Sequence, residues 1–248
     1  MSVAARMREF ESALDQRAPP ENFLVARIDG RNFTRLTRER HRFKAPFDER
    51  FRDLMVIAAR HLMDCGFRVR LAYLQSDEIS LLLDKNDATF GRSMRKILSL
   101  LAAEASASFS VALGAVGAFD CRLSVLPTVD RVVDYFLWRQ GDAFRNALNA
   151  YCYWMLRDQG GSAEEATAHL RGMASSAKHD LLFAQGINFN DVPVWQRRGI
   201  GLCWDLVQGE GVNPISGEPQ QMQRRRLIVD ESLPMGDGFA DWVRRATD

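Results

Sequence analysis

Two short acidic stretches hold the residues of this 248-residue chain whose types and spacing could do chemistry. Asp29-Gly30 follows the apolar run Phe23-Leu24-Val25-Ala26-Arg27-Ile28, and Asp77-Glu78 stands between two further apolar runs at 67–74 and 79–83. Three carboxylates drawn into one place repel one another unless a cation neutralises them. Hard divalent ions such as Mg²⁺, which prefer oxygen ligands and keep several waters, are the usual answer. A pair of such ions can clamp the attacking and leaving oxygens of a phosphoryl transfer. On spacing alone the same residues also read as turns, because Asp, Gly and Ser favour turns for their own reasons.

The elements that must position them follow from periodicity. Residues 2–17 have helical spacing, with Met7, Phe10 and Leu14 on one side, and Ala18-Pro19-Pro20 closes the segment. Residues 22–28 read as a buried strand running into the Asp29-Gly30 turn. Between 46 and 66, Phe47, Phe51, Leu54, Met55, Ala58, Leu62 and Met63 recur at three and four, an amphipathic helix stopped by Gly66. Residues 67–74 and 79–83 are strands joined by the polar connection Gln75-Ser76-Asp77-Glu78. Residues 91–113 are helical, and 119–126 form a strand ended by Pro127. This β-α-β-β-α-β order is the split βαβ of the ferredoxin-like fold, with strand order 4-1-3-2. The first strand then ends beside the start of the third, so Asp29 and Asp77-Glu78, 48 residues apart, are expected to meet at one sheet edge.

After Pro127 the character changes. Residues 128–185 read as almost wholly helical, broken at Gln159-Gly160-Gly161-Ser162, with Ser162 as an N-cap before Glu164-Glu165. Strand candidates at 200–206 and 226–230 flank a Gly/Pro/Gln loop. The expected class is α+β: a ferredoxin-like βαββαβ domain over 1–127, and a largely helical part with late strands over 128–248, packed on it; the family resemblance set out below implies that the first is a polymerase-type palm and the second fingers-like.

Composition bounds the alternatives. With 46% hydrophobic and 26% charged residues the chain is ordinary globular protein, neither disordered nor collagen-like. Its four cysteines form no CxxC pair and its four histidines no HExxH, so neither zinc nor a disulfide framework is signalled. No signal peptide and no bilayer-crossing apolar run are read, and the expected location is cytoplasmic, with no membrane partner. A net charge of +1 argues against coating nucleic acid by bulk charge, although only four of the 33 basic residues are lysine and arginine suits phosphate.

Several separated motifs carry a family resemblance. Arg27-Ile28-Asp29-Gly30-Arg31-Asn32-Phe33, Arg42-Phe43-Lys44-Ala45-Pro46 and Tyr73-Leu74-Gln75-Ser76-Asp77-Glu78-Ile79-Ser80 closely resemble the tRNA-histidine guanylyltransferase family, which includes 3′-to-5′ polymerases that repair tRNA 5′ ends. The likeness continues through Phe119-Asp120-Cys121-Arg122, Trp138-Arg139-Gln140 with Asp142 and Asn146, Ala177-Lys178 to Phe183, and Asn188-Phe189-Asn190. It implies that Asp29, Asp77 and the backbone carbonyl of Gly30 hold two Mg²⁺ ions, with Glu78 an accessory catalytic carboxylate. It implies that Arg31, Asn32, Phe33 and Thr34 wrap a nucleoside triphosphate and that Ser76 contacts its phosphates. An exposed loop after a strand offers N–H groups to phosphate in any case. Lys44 and Arg27 are the candidates for neutralising the triphosphate, with Lys96 and Arg122 for a second, activating one.

Enzymes dedicated to histidine tRNA carry a His-Ile-Asn-Asn run where this chain has Phe144-Arg145-Asn146-Ala147, which points toward the repair branch. Lys178 keeps the family's basic position near the tRNA 5′ end. The implied activity is nucleotide addition to the 5′ end of tRNA from GTP and ATP, by a homodimer or homotetramer. The alternatives are a cyclase-type palm enzyme acting on nucleotide alone, and a non-catalytic RNA-binding module.

Overall fold

The computed structural model describes residues 2–212 and 218–247. Helix α1 spans Val3–Ser12. Strand β1, Phe23–Gly30, leads into the single-turn α2, Phe33–Arg35, which continues as a π turn over Leu36–Arg40. Then come α3 (Glu49–Leu62), β2 (Val69–Gln75), β3 (Glu78–Leu83), α4 (Met94–Leu113) and β4 (Phe119–Leu126). The second half holds α5 (Val129–Asp158), α6 (Ala163–Leu170), α7 (Ser175–Phe183), α8 (Val194–Arg198), β5 (Ile200–Val212), β6 (Pro219–Asp230) and α9 (Asp237–Thr247).

One antiparallel sheet runs β4-β1-β3-β2-β5-β6, the expected 4-1-3-2 order lengthened at the β2 edge. The late strands join through β5, whose Ile200 and Cys203 pair with Leu74 and Leu71. Both faces of the central strands are covered, which explains why β1 and β3 read as continuous apolar runs rather than alternating ones. One face, with Ala26, Ile28, Ile79 and Leu81, packs on Met55 and Leu62 of α3 and Leu101 and Phe109 of α4. The other, with Val25, Leu71, Tyr73 and Leu82, packs on Val132 and Phe136 of α5 and Phe239 and Trp242 of α9. Beyond the sheet, α5 carries Leu148 and Cys152 into a third cluster with Leu170, Leu182 and Phe189. Ser162 caps α6 with a full capping box, donor and acceptor exchanged with Glu165.

Four expectations are corrected. Strand β1 runs on through Asp29 and Gly30, because both pair with β4. The first helix ends at Ser12, and its apolar side packs on nothing among the described residues: Phe10 is 73% exposed. Helix α4, at 20 residues and mean hydropathy 1.4, is long and apolar enough to cross a membrane by length and composition, although no such run was expected. Its Ile97, Leu101, Ala105 and Phe109 stripe is spent on the sheet. Finally, β5 and β6 are far longer than their apolar cores, and α9 was not anticipated.

Gly30 is where local packing first bears on the site. A Cβ built there would stand 2.5 Å from the ring of Phe33. That ring is buried against Phe51, Phe109 and Phe119. Gly30→Ala is therefore expected to lose about 1–3 kcal/mol in thermal or denaturant unfolding through overpacking. Unchanged stability would show that the Phe33 ring moves aside freely.

Candidate active site

The site grows from one register. Antiparallel pairing of β1 with β3 sets Asp29 directly opposite Glu78, and β4 sets Asp120 on the other flank of Asp29. Strands β2 and β3 are joined by a two-residue turn, Ser76-Asp77, with Ser76 in the left-handed region at φ 51°. That turn folds back so that the Gly30 N–H donates to the Asp77 carbonyl at 3.1 Å. The end of β1 and the β2–β3 turn are thus fastened together, and the two aspartates share one sheet edge.

The electrostatics of the pair differ from those of a surface turn. Burial first, and the charge of Asp29 after it, push the Asp77 carboxyl up from the usual 3.8 to about 6. Asp29 is more open, its side chain 37% exposed, and its one ion pair among the described residues is Arg122 at 3.7 Å. Asp77 has no ion-pair partner among them. Two carboxylates, one of them desolvated and uncompensated, form a hard-oxygen donor set that suits Mg²⁺.

The expected crowding of three carboxylates is corrected. No group of three His, Cys, Asp or Glu side chains positioned for a metal occurs among the described residues. Glu78 is turned to α5, where Arg139 grips it with two parallel bonds, Nε to Oε1 and Nη2 to Oε2, both 2.8 Å. Gln75 adds a bond at 3.2 Å, and Arg27 approaches at 3.9 Å. Arg139 also bonds Asp142, which holds Arg145. Glu78 is therefore an anchor between the sheet and α5 rather than a free carboxylate at the reaction centre. Arg139 stood among the quoted motifs without a role; its signal, 61 residues from its partner, is visible only in the fold.

Asp29 and Asp77 open onto a cleft of about 800 Å³. Thr34, Lys44, Ser76 and Glu78 line it, together with Asn146, Ala150 and Trp154 of α5 and Trp195 of α8. Arg38 also lines it: its guanidinium donates to the carbonyls of Phe43, Lys44 and Pro46 and lies 5.0 Å over the Trp154 ring. Asp48 caps α3 and accepts from the Lys44 N–H, fixing the loop that carries the Lys44 side chain. Neither Arg38 nor Asp48 was anticipated.

Within residues 31–34 the parts divide. Asn32 adopts φ 60°, and its N–H, with those of Phe33 and Thr34, stands at the head of α2 without an intrahelical partner. The Arg31 N–H is committed to the Ala118 carbonyl at 2.8 Å. The Phe33 ring is buried against Phe51, Phe109 and Phe119, which leaves it no face for stacking on a base.

Other expected residues do not line the cleft. Arg27 sits beside Glu78 on the α5 side of the sheet, stacked 5.8 Å from Trp138, and does not line the cleft. Arg122 bridges Asp29 and Asp120. Lys96 is not brought to the site: it lies at the start of α4, where Arg92 bonds the Asn22 carbonyl, about 20 Å along β1 from Asp29. Lys178 donates to Asn149, and Phe144 packs against His179 and Phe189.

A family model described as tRNAHis guanylyltransferase matches residues 4–127, and one described as the Thg1 C terminal domain matches 130–232. The tRNA(His) guanylyltransferase of Debaryomyces hansenii is 31% identical over 228 residues, covering 86% of each chain. That of Schizosaccharomyces pombe is 34% identical over 202 residues, covering 75% of this chain and 77% of the relative. Among solved structures, a bacterial tRNA(His) guanylyltransferase-like protein in complex with GTP superposes with TM-score 0.78 at 28% identity, covering 100% of this chain and 99% of that one. The same description in complex with ATP gives TM-score 0.79 at 27% identity and the same coverage. With both halves matched and full-length structural likeness, the chain belongs to the tRNA(His) guanylyltransferase family, nucleotidyltransferases that act on tRNA.

Proposed function

We propose that this enzyme adds nucleotides to the 5′ end of tRNA in the 3′-to-5′ direction, in the repair branch of the family. The observation that carries the reading is the Asp29–Asp77 pair in a cleft whose lining also holds Lys44 and Ser76. Asp29, Asp77 and the Gly30 carbonyl would hold two Mg²⁺ ions, which supply charge neutralisation and an activated hydroxyl to phosphoryl transfer. Lys44 and the N–H groups at 32–34 bind and orient the triphosphate of GTP, and Ser76 donates to a phosphate oxygen. Such transfers need positioning and charge more than a dedicated base, and the chain supplies both.

The reaction balances as two steps. Attack of the RNA 5′-monophosphate on ATP gives an adenylylated end and pyrophosphate; the 3′-hydroxyl of GTP then attacks that end and expels AMP. A 5′-triphosphate end allows direct attack, with loss of pyrophosphate. Structures of related proteins with GTP and with ATP support both nucleotides. Four free cysteines accord with a cytoplasmic setting, and the active form is read as a homo-oligomer by resemblance.

Phe144 carries the choice of branch. Where dedicated enzymes have histidine, its ring packs on Phe189 at 5.3 Å, so position 144 itself offers the acceptor end no imidazole. A 5′-truncated, monophosphorylated tRNA is therefore expected to be extended faster than full-length histidine tRNA when each is incubated with Mg²⁺, ATP and labelled GTP. Preference for histidine tRNA would reverse the assignment, and a labelled cyclic nucleotide with no labelled RNA would replace it with a cyclase.

Acid should switch the centre off. Because Asp77 holds its proton up to about pH 6, ion binding there must displace that proton at lower pH. Apparent Mg²⁺ affinity, read by titrating the ion at fixed nucleotide, is expected to be flat above pH 7 and to fall by up to about tenfold per unit below pH 6. A flat profile down to pH 5 would remove Asp77 from the ion's ligands.

A further inference from the structure

Gln75 is the last residue of β2, two places before Asp77. The register sets it opposite Glu78, and Glu78 opposite Asp29, so the three side chains stand in one row on one face of the sheet. At the spacing of neighbouring strands, Gln75 is about 10 Å across the backbone from Asp29. Its side chain lines the same cleft.

The chemistry of this row decides how the Gln75 amide is turned. Arg139 donates to both oxygens of Glu78, and a carboxylate held in that way only accepts. Gln75 must therefore present its NH₂ to Glu78, and Nε2 donates to Oε1 at 3.2 Å. The amide oxygen of Gln75 is left over, buried and without a donor among the described residues. An oxygen shut away from both water and a donor is costly, so a cleft-lining residue that carries one is prepared for a ligand that brings a donor. Of the groups on a nucleoside triphosphate, the phosphates accept, while ribose hydroxyls and base N–H groups donate. The 3′-hydroxyl has to reach the Asp29–Asp77 pair in order to attack, which sets the sugar rather than the base beside the turn that follows Gln75. The 3′-oxygen gives up its proton in that attack, whereas the adjacent 2′-hydroxyl keeps one to donate. The terminal torsion of a glutamine is broad, so the amide oxygen can turn to meet it while Nε2 stays with Glu78.

We infer that Gln75 reads the sugar of the incoming nucleotide: its amide oxygen accepts from the ribose 2′-hydroxyl, which selects ribonucleotides over deoxyribonucleotides and orients the neighbouring 3′-hydroxyl. The inference rests on the reading of this cleft as the nucleotide site of 5′-end addition, and it adds the class of sugar the site takes. It also gives Arg139 and Glu78 a part in specificity, since together they fix which end of the Gln75 amide is free.

The test is the ratio of kcat/KM for GTP to that for 2′-deoxy-GTP, measured with a truncated tRNA that already carries a 5′-triphosphate, so that only the incoming nucleotide varies. Equilibrium binding of the two nucleotides without RNA gives a second reading of the same ratio. The unaltered protein is expected to prefer GTP about tenfold, the worth of one hydrogen bond to an otherwise unpaired acceptor. Gln75→Met keeps the length of the side chain and removes the acceptor, and its ratio is expected to fall to about one. A ratio near one in the unaltered protein would overturn the inference, whether or not the variant folds. A preference for GTP kept in Gln75→Met, with both nucleotides slowed alike, would overturn it and leave the amide as a brace for Glu78. Loss in the variant of a preference for GTP over inosine triphosphate, with the sugar preference intact, would overturn it in favour of the guanine amino group as the donor. Absence of 5′-end addition by the unaltered protein with either nucleotide would instead defeat the reading of the reaction, and the role of Gln75 with it.

Discussion

Asp77→Asn is expected to abolish 5′-end nucleotide addition, by about 10³-fold or more, while leaving the fold as stable as before or more so. The two effects have one cause. The carboxyl is held in the folded state at a pKa of about 6, above its usual 3.8, chiefly by burial. A carboxyl whose folded pKa is raised costs the fold nothing below its unfolded value, and the cost grows as pH rises from about 4 to 6. Above pH 6 it is complete, at about 2 kcal/mol once partial solvent access is allowed for. Asparagine keeps the shape and removes the charge. The stability advantage of the variant should therefore be present at pH 7.5 and vanish at pH 4, in the absence of divalent ions. Near wild-type addition by the variant would remove Asp77 from the reaction. A variant less stable at pH 7.5 would show that the negative charge is compensated in the fold.

Arg139→Gln carries the second large effect, and on stability first. Its guanidinium and the Glu78 carboxylate are both nearly buried, with side-chain exposures of 6% and 11%. Removing one partner leaves a buried charge without its counter-ion, which costs about 3–5 kcal/mol. The double variant Arg139→Gln with Glu78→Gln removes both charges and is expected to regain most of that loss, because a buried pair against a neutral pair is often close to even. If Arg139→Gln alone melts with the unaltered protein, the pair is not the anchor between β3 and α5 that its geometry indicates. If the double variant is no more stable than either single one, the coupling lies elsewhere.

Much of this was legible in the residues, for identifiable reasons. The strands β1, β2 and β3 are apolar on both faces and bounded by turn residues, so their order predicted the meeting of Asp29 and Asp77. What could not be read was which way each side chain commits. Glu78 and Asp77 are neighbours in sequence and both acidic. One is desolvated beside Asp29, while the other is claimed by an arginine 61 residues away, and only packing of α5 on the sheet distinguishes them. Phe33 lies in a loop that resembles a nucleotide-binding stretch, yet a ring beside a glycine finds more area to bury in the Phe51, Phe109 and Phe119 cluster than in the cleft. The strands β5 and β6 outrun their apolar cores because ladder hydrogen bonds continue where side chains are polar or charged, and periodicity carries no signal there. Helix α9 did carry one: Phe239, Trp242 and Val243 recur at helical spacing and are buried on the sheet.

The resemblance supplied roles that the geometry then sorted. Lys44, Ser76 and Thr34 reach the cleft, Arg27 and Arg122 flank it on the α5 side of the sheet, and Lys96 is far from it. Arg38 and Asp48, which no motif singled out, hold the loop that presents Lys44. Their substitution should disturb nucleotide affinity through that loop.

The most direct measurement is anomalous diffraction from a crystal of this protein soaked with manganese and GTP. Two peaks are expected, each at about 2.0–2.2 Å from oxygens of Asp29, Asp77 or the Gly30 carbonyl, with the triphosphate beside Lys44. GTP bound in the cleft with no ion touching either aspartate, or manganese held by Glu78 after it has left Arg139, would contradict the site described here.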